Sequence, residues 1–239
     1  DYAVLRYWIE DKVYRPAYGP FERAVTWMGE DVIHRAHFGS VPLHRIMGWM
    51  GLEQFAVEWH ERRDEVLALE AAMRKQKEHV YAIVAQSPAV FANYGGNMVA
   101  EVMGRGRFQE FVQPLFDASA AACHAHGTLV GSHMDGNNRA WSDLLAASRL
   151  DYIEAFTPAP DTDMTLEEAL AAWPDKVIWL NFPSSLHLAS IERIREETRR
   201  FVELGRKTNR VIIGITEDIP AHRWQENLLA INAVIHEMA

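Results

Sequence analysis

The chain has 239 residues, 49% of them hydrophobic and 24% charged, the composition of an ordinary globular protein with room for one large α/β domain. A formal net charge of −9, with the basic residues scattered, excludes a nucleic-acid surface, because phosphate binding needs a concentrated basic face. No apolar run approaches the ~20 residues of a membrane span, no secretory signal is visible, and the lone Cys123 rules out an internal disulfide, so the cytoplasm is the expected compartment.

The sequence opens at Asp1 inside what already reads as structured chain, so an N-terminal piece is expected to be missing. Residues 32–38 read as a strand, on which His34 and His37 face opposite ways and form no joint site. Residues 42–59, rich in Met, Trp and Gly, read as a helical insertion, and residues 64–86 as a long helix with Val66, Leu69, Met73, Val80 and Ile83 on its apolar stripe. A strand over 89–94 runs into Asn93, Tyr94, Gly95, Gly96 and Asn97. Two amides around a flexible glycine pair suit hydrogen bonding to a substrate, or simply a turn. Residues 108–126 read as a helix bent near Pro114, where the turn lacks an amide, and ended by Gly127.

From there the pattern is more regular. Strands are expected over 128–132, 152–156, 177–181 and 211–215, each nearly continuous in apolar residues as in a parallel sheet covered on both faces. Thr165 and Glu168 form a capping-box pattern opening a helix over 166–173, which Pro174 stops. Ser190 can cap a helix with Ile191, Ile194, Thr198, Phe201 and Val202 on one face and Gly205 just past its end. Between Arg193 and Arg210 the basic residues alternate with glutamates, which reads as a solvated face. A last helix covers 227–238.

Six strands alternating with helices imply a parallel sheet with right-handed crossovers. No G-x-G-x-x-G turn is present, which weakens a nucleotide-binding version. The expected fold is α/β, a (β/α)8 TIM-type barrel lacking its first strands in this chain, with residues 1–239 as a single domain.

Chemistry in such folds collects beyond the carboxyl ends of the strands, so strands that end in residues too polar for a core mark the candidate site. The apolar strand before Ser132 runs straight into His133, Asp135, Asn137 and Asn138. His133 and Asp135 are two apart and point the same way in extended chain. They can act as an acid/base pair, contribute two metal ligands, or form a structural turn. After Ile215 come Glu217 and Asp218, one of which can face the axis while the other caps the next turn. Glu154 sits inside a strand, where a buried carboxylate needs a partner. Asn181 ends the next strand ahead of Ser184 and Ser185, with no nucleophile elbow around either serine. Cys123, in an alanine-rich helix, reads as a small buried hydrophobe.

The run His133-Met134-Asp135-Gly136, the segment Asp151-Tyr152-Ile153-Glu154-Ala155-Phe156, and Glu217-Asp218-Ile219-Pro220 followed by Glu226-Asn227 resemble the C-terminal half of the uroporphyrinogen decarboxylase superfamily, which includes corrinoid-dependent methyltransferases. The stretch from Phe108 to Phe116 is similar to a family segment ahead of a Pro-aromatic pair. The resemblance covers residues 28 to 239 in order, is strongest from 87 onward, and implies the barrel. Decarboxylases of this superfamily are expected to carry Gly-His-Gly near the last strand; here Ile215-Thr216-Glu217 has no histidine. The methyltransferases are expected to hold zinc on His-x-Cys and a later Cys, and the corresponding positions here are His133, Asp135 and Glu217, each cysteine replaced by a carboxylate. Such a set offers harder N and O ligands.

The reading favoured by this resemblance is methyl transfer from a small oxygen-containing donor to a corrinoid carried by a partner protein. His133, Asp135 and Glu217 would hold a divalent metal, zinc foremost, and serve as the catalytic set, with Asn93, Asn97, Glu154 and Asn181 binding substrate. The alternatives are a metal-independent decarboxylase or lyase using His133 and Asp135 as acid and base, and a non-catalytic ligand-binding barrel.

Overall fold

The computed structural model describes residues 1–215 and 218–239, in two compact units. The first comprises Asp1–Ser132 with Ser148–Leu150, the second His133–Ala147 with Asp151–Ala239. No helix among the described residues is long and apolar enough to cross a membrane.

The first unit contains the strands β1 (Arg35–Gly39) and β2 (Phe91–Tyr94), and β3 (Leu129–His133) up to its last residue. β1 pairs parallel with β2 from Arg35↔Phe91, and β2 with β3 from Phe91↔Leu129. Helices Tyr2–Glu10, Arg63–Ala85 and Gln113–His124 pack in turn around a core that includes Leu43, Ile46, Val66, Phe108 and Phe116. Three expectations need correction here. β1 begins at Arg35 rather than 32: its pairing with β2 starts there, and Val32 and Ile33 ahead of it lie exposed. The segment expected as one helical insertion is two helices, Pro42–Met50 and Leu52–Glu61, parted at Gly51, whose φ of 78° is open only to glycine at little cost. The helix expected from 108 opens with a π turn, Phe108–Val112, and only then becomes Gln113–His124, with Pro114 in the first turn, where its missing amide costs nothing. Gly127, at φ 79°, follows the helix end as expected.

The second unit contains β4 (Tyr152–Phe156), β5 (Val177–Phe182) and β6 (Val211–Ile215), β4 pairing parallel with β5 and β5 with β6. The expected capping box is present: Thr165 Oγ1 accepts the Glu168 amide and the Glu168 carboxylate accepts the Thr165 amide, opening helix Leu166–Ala172. Ser190 accepts the Arg193 amide at the start of helix Ile191–Thr208. That helix runs through Gly205, the expected stop, and ends at Asn209 in the left-handed conformation (φ 54°), which asparagine tolerates. A Cβ at Gly205 would make only an ordinary contact, 3.4 Å from Val211 of β6. The last helix, Trp224–Met238, lies against Ile191–Thr208.

Candidate functional site

β3 ends at His133, the first residue of the second unit, and the turn after it is tied down locally. Asn138 is buried and its polar atoms are committed to the turn itself. Its Nδ2 donates to the carbonyls of Met134 and Gly136, and its Oδ1 accepts Trp141 Nε1 at 2.8 Å. Asp163 accepts the amides of Asn138 and Arg139. These residues hold the loop in place, and Asn138, inside the segment expected to form the site, spends its side-chain amide on framing the turn.

The frame presents His133 to two carboxylates. Nδ1 lies 2.7 Å from Glu154 Oε2, and Nε2 lies 3.4 Å from Asp135 Oδ2. The Glu154 carbonyl also accepts the Met134 amide at 2.8 Å, which fixes the backbone of the turn against β4. All five residues of β4 are buried. Its pairing with β5 breaks register between Glu154 and Phe156, and Ala155 between them takes φ 59°, a conformation costly to a residue with a Cβ. The bulge sits directly behind the carboxylate that His133 requires. Glu154 is only 8% exposed, so that ring is the partner its buried charge needs.

Burial alone would lower the His133 ring, but hydrogen bonds and charges from Asp135 and Glu154 more than reverse it and raise the pKa from 6.5 to about 9. Without a metal the ring is therefore an imidazolium at neutral pH, donating from both nitrogens. Asp135 Oδ1 is buried and makes no hydrogen bond among the described residues.

These atoms fit a divalent ion in part. Two ligands on a tetrahedral zinc, with bonds of about 2.0–2.2 Å, stand about 3.4 Å apart, the separation found between His133 Nε2 and Asp135 Oδ2. Glu154 behind Nδ1 is the carboxylate that commonly orients a metal-binding histidine. No group of three or more His, Cys, Asp or Glu able to hold a metal occurs among the described residues. The third expected ligand, Glu217, lies outside the described residues, as does Thr216. Asp218 and Pro220 line a cavity of about 390 Å3 with Ser184 and Ser185.

The structure thus brings together His133, Asp135 and Glu154, and the contact between Glu154 and His133 is one that sequence reasoning missed. Its signal was the carboxylate inside an apolar strand. Asn181 stands half-buried on β5 opposite Gly214. Asn93 and Asn97 belong to the first unit. Asn93 is buried and its Nδ2 donates to the Tyr94 carbonyl, while Asn97 lines an apolar cavity of about 280 Å3 with Met47, Met98 and Met103.

No protein-family profile and no curated protein matches the chain. Among solved structures it superposes on a methyltransferase from Methanosarcina mazei with a TM-score of 0.65 at 15% identity, over 98% of this chain. The chain shares the fold of that protein and spans 64% of its length.

Proposed function

We propose that this chain is a methyltransferase-like enzyme, a (β/α)8-type barrel domain that moves a methyl group from a small oxygen-containing donor to a corrinoid carried by a partner protein. The observation that carries this reading is the 3.4 Å spacing of His133 Nε2 and Asp135 Oδ2 with Glu154 behind the ring, joined to the fold likeness to a methyltransferase. His133 and Asp135 would hold a divalent ion, zinc foremost, with Glu217 as the third ligand. Bound there, the ion would supply Lewis-acid activation of the donor oxygen. As the methyl group leaves for the acceptor, the electron pair of the broken C–O bond stays on that oxygen. Glu154 acts through His133, holding the ring by Nδ1 so that Nε2 faces Asp135. Asn181 is the amide of the same unit offered to the donor.

The test is the metal content of purified protein, wild type against His133→Ala. About one divalent ion per chain, lost in the variant, supports the reading; a wild type still empty after incubation with zinc overturns its metal part. A second reading is favoured by the raised pKa of His133. An imidazolium held between two carboxylates can donate a proton without any metal, as a decarboxylase or lyase of this fold would require. Turnover that survives complete chelation would select it.

A further inference from the structure

We propose that the first unit carries a binding site for an organic carboxylate with an aromatic body, in the cavity between helix Tyr2–Glu10, the end of β1 and helix Arg63–Ala85. The cavity has a volume of about 840 Å3, the size of a small-molecule site. Three cations line it, Lys12, Arg45 and Lys77, and no aspartate or glutamate does. Among the described residues none of the three has a carboxylate partner, although the chain as a whole carries a net charge of −9. Lys77 donates to the Phe38 carbonyl, Lys12 sits 3.3 Å over the Trp8 ring, and Arg45 stands 5.9 Å from the Trp49 ring. Burial, and after it the charge of Arg45, hold Lys77 down to about 8 and lower Lys12 as well. Like charges gathered against an apolar wall without an anion are what an incoming carboxylate would relieve.

The rest of the lining decides the body of the ligand. Leu5, Ile9, Met73 and Val80 give the lining an apolar part, which a bare inorganic anion would leave uncovered. Trp8 and Trp49 stand at the mouth, 51% and 42% exposed, their ring centroids 6.3 Å apart and tilted by 58°. Large indoles left in solvent beside cations offer faces and edges to a planar ring.

The probe is 2-naphthoate, with 2-naphthamide as its neutral counterpart, titrated calorimetrically into the whole chain. The acid is expected to bind at least about tenfold more tightly than the amide. Lys77→Met and Arg45→Met should each weaken the acid about fivefold or more, and Lys77→Arg should recover most of the loss. Equal binding of acid and amide, no saturable binding of the acid, or indifference to both Met variants overturns the proposal. Should a variant fail to fold, acetylation of Lys77 in the wild type, followed by mass spectrometry, decides. Naphthoate is expected to slow it, and an unchanged rate overturns the proposal.

Discussion

Glu154 holds His133 in two ways: its carboxylate lies 2.7 Å from Nδ1 of the ring, and its carbonyl accepts the amide of the next residue, Met134, at 2.8 Å. Side chain and backbone are thus set by one residue of β4, and a substitution that spares the carbonyl separates the two effects.

Glu154→Gln keeps the shape and removes the charge. In metal-free protein the His133 pKa, followed by NMR, should fall from about 9 toward the ordinary 6.5. Zinc affinity by chelator competition should fall about 10- to 100-fold, the usual effect of losing the group behind a metal-binding histidine. An unmoved pKa would show that Glu154 does not govern the ring.

The same ring links stability to pH. Its folded value, about 9, exceeds the unfolded 6.5, so the folded protein binds this proton more tightly. The contribution is complete below the unfolded pKa and disappears as pH rises through the folded one. Urea midpoints of metal-free protein should decline across that window, by no more than about 2 kcal/mol in stability once the partial exposure of the ring is allowed for. His133→Asn should flatten the decline.

Lys77 has the opposite sign. Its pKa is lowered from 10.5 to about 8, so between those values the unfolded chain holds more protons and stability rises with pH. Lys77→Met removes a poorly solvated charge along with its hydrogen bond to Phe38. The variant should be about 1 kcal/mol more stable than wild type at neutral pH and lose that advantage above the Lys77 pKa. Denaturation at pH values on either side of 8 checks the crossover.

Asn138→Ala should cost about 2–4 kcal/mol, because three hydrogen bonds vanish and the Trp141 indole N–H, buried, loses its acceptor. Equilibrium unfolding measures the loss. A change below about 0.5 kcal/mol would mean that the turn does not depend on this residue.

The strands of the second unit were legible because each is an apolar run between clear punctuation. β4 and β6 match their expected bounds, and the Thr165–Glu168 box is a local signal with a local outcome. Gly205 misled because a glycine inside a helix costs only about 1 kcal/mol against alanine and does not by itself end it; the helix stops at Asn209, in the left-handed conformation. The pairing of His133 with Asp135 follows from their spacing, since neighbours two apart share a face. The partnership with Glu154 could not be read the same way: it joins residues 21 apart in different elements, and the bulge beside it was equally hidden, since nothing in an alanine announces a positive φ. The framing role of Asn138 was not legible either, since an asparagine that frames a loop and one that binds a ligand have the same letter.

The hydrogen bonds described above that hold His133 and frame its turn join residues of one short stretch, His133 to Asp163, and the ring closes on Glu154 across 21 residues. Loop-closure entropy grows only as the logarithm of loop length, about 0.6 kcal/mol for each doubling. The contact of His133 with Glu154 can therefore form early in folding, before β5 and β6 have found their pairing, so that the later part of the chain is added to a histidine already held.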